Sequence, residues 1–403
     1  MKFQTQVPLQ ETKSQKKQNY FLSQVHQPFF VLGIVNALAV MLIFVLGYKG
    51  ILNLEMSALN FHVYSLIFLV FTNAFSGFLL TTFPRFCQSS LVTKQYYLKL
   101  SFASSLGSLV FLVGSFTNYM LMLFGMIILF VSHIYTVLKL RSIFLTGMSK
   151  DQDAHWIIMA HKFGLVGHLL FILSLFVDAS NIAINISFYM FLIFLTFSVA
   201  QRMIPFFSHS NASKDERFTN TVFVFFFIKT LLNIFNDNTY VKIAEIIIDA
   251  ILGLYLLGEF LRWKLPLFNS SAILWVLYLG LFWLPTALFV NALSLMLELI
   301  FDANFYYLSI HLIAIGFLTT LLIGFGSRVI LGHSGQETKA DKITTMLFWF
   351  VQVILFFRVA YSLNIAFGLK MDFLFDFSYT SWILVFLIWA MRYTKVLVFG
   401  KKI

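Results

Sequence analysis

Twelve runs of mostly apolar residues divide the chain, and most are long enough to cross a lipid bilayer as one α-helix. Crossing about 30 Å of hydrocarbon takes about 20 residues, because an α-helix rises about 1.5 Å per residue. The seventh and eighth runs fit this length least well, since they are short or contain charges. The runs cover residues 29–46, 61–80, 98–116, 119–138, 161–177, 182–200, 222–235, 240–260, 272–290, 305–325, 345–366 and 379–391.

The composition identifies lipid as the solvent of this chain. Sixty per cent of the 403 residues are hydrophobic and only 11% are charged, whereas a soluble domain has about 25% charged residues. So few charges cannot cover a water-facing surface. We therefore predict an all-α polytopic bundle of about twelve transmembrane helices, forming one membrane domain over residues 25–403 after a polar segment at 1–24.

The net charge of +11 reflects membrane topology. If twelve spans alternate, 23 of the 28 lysines and arginines fall on the side of the N-terminus, and only Lys49, Lys242 and Lys370 fall on the other side. Lysine and arginine are retained on the cytoplasmic side of membrane proteins. We therefore expect both termini in the cytoplasm, with the bilayer as partner and no nucleic acid.

Three spans end in related sequences on the expected cytoplasmic side. These are GFLLTTFPRF, SVAQRMIPFFSHS and GFGSRVILGHSG, which place Arg85, Arg202 and Arg328 about four spans apart. A threefold repeat of four-helix units would produce this spacing. Ordinary snorkelling of arginine to lipid headgroups would place each of them at a helix end as well.

A histidine lies near the opposite end of two of these three spans. His62 belongs to the second span and His311 to the tenth, while the sixth has Asn185 in the corresponding place. Each imidazole could anchor a helix end at the membrane interface or join a hydrogen-bond network. Alternatively, the two could ligate one metal or haem iron, because neutral imidazole is the commonest metal ligand and bis-histidine ligation suits haem between helices.

The other histidines carry weaker signals. His161 and His168 share a face of the fifth span about 10 Å apart along the axis, which is too far for one metal ion and leaves separate sites or hydrogen bonds. His133 is a lone ring in the fourth span. We expect His333 in a solvated loop, beyond a helix that ends through Gly332 or Gly335.

Charged residues inside spans need partners. Lys229 in the seventh span should meet Glu245 and Asp249 in the eighth at one depth, as a neutralising group or as part of a proton path. Arg358 lies alone in the eleventh span, near the level of His311, and needs an anion. The candidates are three aspartates and a haem propionate; the aspartates are Asp302, Asp372 and Asp376.

Familiar catalytic signatures are absent from the sequence. Cys87 is the only cysteine, so there is no disulfide framework and no CxxCH site for covalent haem. The chain also lacks the glycine-rich nucleotide motifs and the GxSxG nucleophile elbow.

The segment HLIAIGFLTTLLIGFGSRVILGHSG resembles the most diagnostic part of the NnrS family of bacterial inner-membrane proteins. Further similarities are Pro28-Phe29-Phe30 in the first span, Phe61-His62 followed by GFLLTTFP in the second, and Arg202-Met-Ile-Pro205-Phe-Phe in the sixth. Arg202, Pro205, Arg328, Gly332 and His333 match signature positions. The resemblance runs in order from about residue 24 to the C-terminus.

The resemblance implies a haem- and copper-containing protein of the nitric oxide stress response. His62 and His311 become the leading haem or metal ligands, with Arg358 near the propionates, while His161, His168 and His333 are weaker metal candidates. Haem-copper oxidases and nitric oxide reductases likewise carry haem-ligating histidines on their second and tenth helices. Tyr64 and Ser65 stand where the family has a second His and a Glu, which weakens copper more than haem.

Two other functions stay open at this point. Secondary transporters of small metabolites also have about twelve spans, with helices broken at mid-membrane, and Pro285 in the ninth span is the one matching feature. A non-catalytic protein could protect other metal centres from nitrosyl species. Haem-dependent oxidoreductase activity on nitric oxide or nitrosyl species therefore stays undecided.

Overall fold

A computed structural model describes residues 20–210, 215–236, 238–266 and 269–402, and it confirms the helical membrane bundle. Twelve long helices and a short 3₁₀ turn at Tyr20–Leu22 make up these ranges, which contain no strand. The helices are α1 His26–Tyr48, α2 Ala58–Phe86, α3 Lys94–Gly114, α4 Tyr119–Thr146, α5 Gln152–Leu173, α6 Ser180–Phe207, α7 Phe218–Ile234, α8 Thr239–Arg262, α9 Ala272–Phe301, α10 Leu308–His333, α11 Lys342–Ala366 and α12 Phe373–Phe399. Most of the polar N-terminal segment and Lys214 lie outside the described residues.

Ten of the twelve helices in the described ranges are long and apolar enough to cross a membrane. The two others are α7 and α8, the helices for which the sequence pattern was weakest. Helix α7 has only 17 residues, and α8 carries several charged side chains along its 24 residues. The predicted number of helices is therefore confirmed, and the two doubtful helices carry the buried residues Lys229, Glu245 and Asp249.

Several helices continue beyond the apolar runs. Helix α5 begins at Gln152, well before the predicted start at residue 161, and its first turn is capped by Asp151, which accepts a hydrogen bond from Asp153 N at 2.8 Å. Asp153 is itself buried and accepts from Gln201 Nε2 at 2.7 Å. An apolar run in the sequence ends at such polar residues. The helix continues through them, because neighbouring helices satisfy their polar groups. Helix α9 is continuous through Pro285.

The three helices of the repeat pattern each contain a wide, π-helical segment. These segments are Leu66–Phe71 in α2, Ile186–Ile193 in α6 and Leu312–Thr319 in α10. A π turn displaces backbone carbonyls from their usual partners, and threonine hydroxyls take up two of them: Thr72 Oγ1 donates to Ile67 O and Thr319 Oγ1 to Ala314 O, both at 2.8 Å. Such segments are frequent at functional sites.

Arg202 and Arg328 each contact the preceding helix of the repeat pattern. The guanidinium of Arg202 in α6 lies 4.2 Å from the ring centroid of Phe86 in α2, and that of Arg328 in α10 lies 4.0 Å from the ring of Phe207 in α6. Both phenylalanines stand two positions after a helical proline. The same contact thus recurs from one unit to the next, as a repeat would produce. Arg328 therefore packs on the protein, against Phe207.

His333 does not lie in a solvated loop, so that prediction is wrong. It is the last residue of α10, it is half-buried, and its ring centroid lies 4.9 Å from that of His26. The helix continues past Gly332 because its end is made by Gly335, which has a left-handed φ of 67°. Gln336 N donates to Leu331 O at 3.1 Å and closes the turn.

Candidate functional site

A cavity of about 620 Å³ opens within the bundle at the end opposite the start of α1. Helices α1, α2, α6, α7, α10, α11 and α12 contribute to its wall. His62, His311 and Arg358, which the sequence predicted to lie at one site, all line it, together with Asn185. The corresponding polar positions of all three repeat helices therefore meet in one space. This volume lies within the range of about 300–1,000 Å³ that is usual for ligand pockets.

His311 is oriented so that one ring nitrogen stays available. Its Nδ1 lies 2.9 Å from the carbonyl oxygen of Tyr307, so Nδ1 carries the proton and Nε2 keeps its lone pair. Metal-bound histidines are commonly oriented by this kind of second hydrogen bond. Tyr306 and Tyr307 line the same cavity and have left-handed φ angles of 34° and 58°. Such strain in non-glycine residues is concentrated at functional sites.

His62 faces the cavity from the first turns of α2. Ser57 caps this helix by accepting from Asn60 N at 3.2 Å, and Asn60 Nδ2 donates to Ser180 Oγ at 2.9 Å, which joins the starts of α2 and α6. The imidazole packs on Phe44 with ring centroids 4.2 Å apart. Among the described residues, its buried Nδ1 has no hydrogen-bond partner. An unpaired buried polar atom of this kind often marks a functional site.

Arg358 brings a cation to the cavity without a carboxylate. It is 5% exposed, donates from Nη1 to Ser362 Oγ at 2.8 Å, and lies 5.3 and 5.8 Å from the rings of Tyr361 and Tyr306. No carboxylate of the described residues lies within ion-pair distance of it, and Asp376 pairs with Lys49 at 2.6 Å instead. Arg358 also interacts electrostatically with both cavity imidazoles. The charge therefore calls for an anion in the cavity.

Most of the other residues in the cavity wall are aromatic or aliphatic, and they were not identified from the sequence. They include Tyr48, Phe71, Phe188, Tyr189, Phe375 and Trp382. Only the Tyr306-Tyr307 pair gave a local signal, as two adjacent aromatic residues in the polar turn before α10. The others resemble ordinary lipid-facing or core residues, because a bundle this rich in phenylalanine places aromatic rings on every face.

A second group of imidazoles lies between α4 and α5. His133 Nε2 is 3.1 Å from His161 Nδ1, and the ring centroids are 5.4 Å apart. The distance between the ring centroids exceeds the distance between the two nitrogens by nearly two ring radii. Both nitrogens therefore lie on the line that joins the centroids, and they point directly at each other. Two ligands of one metal ion would converge at an angle instead. The pair is therefore a hydrogen bond.

His168 is hydrogen-bonded to Tyr64 of α2. Tyr64 Oη lies 2.8 Å from His168 Nε2, and Phe68 stacks on the imidazole with ring centroids 4.0 Å apart. Within the four described ranges, no group of three or more His, Cys, Asp or Glu side chains is arranged to hold a metal ion. Metal ligation by His161, His168 and His333 stays a prediction, and hydrogen bonds account for the positions of the first two.

The expected ion pair between α7 and α8 is confirmed. Lys229 Nζ donates to Glu245 Oε1 and to Asp249 Oδ2, both at 2.8 Å, and all three side chains are buried. Asn233 Nδ2 also reaches Glu245 Oε1 at 3.3 Å, and Asn233 lines the cavity. The ionic group and the cavity therefore share a wall.

The fold and the site together define a polytopic helical membrane protein with a histidine-lined cavity near one end of its bundle. Comparison with known proteins gives the family: the family model described as NnrS protein matches residues 20–399. Because the match covers nearly the whole chain, the chain belongs to the NnrS family. A search of curated proteins found no match.

Proposed function

We propose that this NnrS-family protein binds haem in the cavity, between His62 and His311, and acts in defence against nitric oxide in the bacterial inner membrane. The observation that carries the proposal is that both imidazoles and an unpaired buried arginine line the same cavity. With both termini in the cytoplasm, as the positive charges indicate, this cavity opens toward the outer face of that membrane.

The residues that line the cavity fit a haem group. The lone pair on His311 Nε2 is free for iron because Nδ1 is bonded to Tyr307 O, and His62 adds a second imidazole from another helix. Arg358 supplies the positive charge that a propionate needs, and arginine is the residue best suited to paired hydrogen bonds with a carboxylate. The aromatic wall suits a flat, apolar ring system.

When bound, haem would supply an iron that can bind nitric oxide and exchange electrons. The protein's own contribution is to hold the two imidazoles on separate helices beside their π segments, to place Arg358 on a third helix, and to keep the wall largely apolar. Copper has less support, because Tyr64 occupies the family's histidine position and its hydroxyl is committed to His168. Whether nitric oxide or a nitrosyl species turns over, or is only bound to protect other metal centres, is decided by measuring consumption.

One observation favours a second candidate, a carrier of a small anionic metabolite. An unpaired arginine in a cavity at one end of a bundle would also bind a carboxylate substrate. Secondary transporters, however, place their sites between broken helices, whereas α9 is continuous through Pro285. Haem binding is therefore ranked first.

An optical spectrum of the purified protein separates these functions. Protein prepared in detergent from haem-replete cells should show a Soret band and contain stoichiometric iron, and copper is measured in the same sample. If neither haem nor iron is present, the haem proposal fails, and uptake of anions into proteoliposomes would then support a carrier. With haem bound, an electrode assay of nitric oxide under reducing conditions distinguishes turnover from binding alone.

A further inference from the structure

Beside the cavity lies a buried ionic group that haem binding does not explain. Lys229, Glu245 and Asp249 are 1%, 2% and 0% exposed. Lys229 Nζ is 2.8 Å from one oxygen of each carboxyl group. The amide of Asn291 in α9 bridges the same two oxygens, donating to Glu245 Oε1 at 2.8 Å and to Asp249 Oδ2 at 2.6 Å.

The charges in this group do not balance. One ammonium faces two carboxyl groups, so full ionisation would leave a net charge of −1 inside the bundle. The other groups in contact are neutral: the ring of Tyr189 in α6 lies 5.4 Å from the ammonium, and Asn233 and Asn291 are amides. Lys242 pairs with Glu298 at 2.7 Å, and no second cation of the described residues is within ion-pair distance. An uncompensated buried charge is strongly destabilising.

Two atoms show where the missing positive charge belongs. Glu245 Oε2 and Asp249 Oδ1 are buried and have no hydrogen-bond partner among the described residues. The donors nearby are already committed to the other oxygen of each carboxyl group. A single proton on either free oxygen would remove the excess charge and would convert an unpaired acceptor into a donor.

The group also has a polar connection to the cavity. Asn233 lines the cavity and donates to Glu245 Oε1. Tyr189 also lines the cavity, and its ring faces the ammonium of Lys229. On the far side, Ser309 Oγ donates to Asn291 Oδ1 at 2.5 Å. Ser309 stands two residues before His311 in the same turn of α10, so the network reaches the helix start that positions this imidazole.

We propose that Lys229, Glu245 and Asp249 form a proton-binding site that holds one proton on a free oxygen of one of the two carboxyl groups and exchanges it with the cavity. The site accepts a proton rather than a metal cation, because the ammonium already occupies the place between the carboxyl groups. It depends on the charge count and on the contacts of these residues. It therefore stands whether or not the cavity binds haem.

Infrared spectroscopy of the purified protein in H₂O and D₂O tests this inference. Near neutral pH, the wild-type protein should show the carbonyl stretch of a protonated carboxylic acid, shifted in D₂O. Asp249→Asn and Glu245→Gln should each abolish this band, because one remaining carboxylate balances the ammonium. Glu298→Gln, in the half-exposed pair with Lys242, is the control and should leave the band unchanged.

A double variant makes the charge count decisive. Adding Lys229→Met to Asp249→Asn leaves one buried acid without a cation, so the carboxylic band should return. If the wild type shows no such band near neutral pH, the inference is overturned whatever the variants do. If the band is absent and sodium, in place of choline, raises the melting temperature, the group is a cation site. A band that persists in both single variants would assign the proton elsewhere and would also overturn it.

Discussion

Replacing Arg358 by methionine should have opposite effects on haem retention and on the haem-free protein. The guanidinium is 5% exposed and has one side-chain hydrogen bond, to Ser362 Oγ at 2.8 Å. Ser362 Oγ also donates to Tyr306 O at 3.0 Å, so it keeps a partner after the substitution. The structural loss is therefore small, and the main interaction removed is the one with a bound anion.

The expected change in the rate of haem loss follows from the loss of one charge-assisted hydrogen bond to the haem. A hydrogen bond to a charged group contributes about 1.5–3 kcal/mol, and about 1.4 kcal/mol corresponds to a factor of ten. Haem loss from Arg358→Met should therefore be about 10- to 150-fold faster than from the wild type. The melting temperature of the haem-free protein should stay the same or rise, because the variant no longer contains a buried cation without a carboxylate.

The assay is transfer of haem to an excess of a haem-scavenging protein, followed by absorbance, with the melting temperature measured on haem-free samples. Arg358→Lys is the matched control: it keeps the charge but loses the planar fork, so its haem loss should be intermediate. An unchanged rate of haem loss combined with a lower melting temperature of the haem-free Met variant would refute the reasoning, because Arg358 would then be purely structural.

Three further predictions concern regions outside the cavity. Burial raises the pKa of the Cys87 thiol to about 11, so maleimide should label the native protein slowly and a cysteine at the exposed position Met148 rapidly. A Cβ on Gly125 would overlap the backbone of α3, so Gly125→Ala should destabilise by about 1–3 kcal/mol in urea unfolding, whereas Gly258→Ala, with open space around it, should not. Burial acts against ionisation of Asp341, but the first-turn N–H of α11 and a guanidinium of α12 outweigh it and lower its pKa. Its stabilisation should therefore be present at neutral pH and disappear in acid. Asparagine keeps the cap, and solvent screens the half-exposed pair with Arg392, so Asp341→Asn should cost only about 0.2–1 kcal/mol at pH 7 and nothing below the folded pKa.

The fold was predictable because its determinants are local in sequence. Each helix of this bundle is a run of apolar residues, and the alternation of positive charges fixes the number of runs. The boundaries were less predictable: α5 begins with Gln152 and a buried Asp153 because Gln201, on the next helix, satisfies the carboxylate. Hydropathy cannot anticipate a partner that is distant in the chain.

The convergence of the two imidazoles and the arginine on one cavity was predictable, whereas the surroundings of these residues were not. His62 and His311 could be paired because they occupy matching ends of two repeat helices, and Arg358 because a lone charge in a span is rare. The bond from His168 to Tyr64 depends on how α2 packs on α5. The burial of His333 against His26 likewise depends on α1 packing on the end of α10. Such contacts between helices leave no trace in the spacing of residues along one helix.

The central claim, that two imidazoles from α2 and α10 hold one haem iron, is tested most directly by the spectra of His62→Ala and His311→Ala. Reduced wild-type protein should show the bands of low-spin, six-coordinate haem, and each substitution should abolish or shift them. His155→Ala, which changes an exposed histidine of α5, should leave them unaltered. Wild-type bands that persist unchanged in both cavity variants would contradict the account.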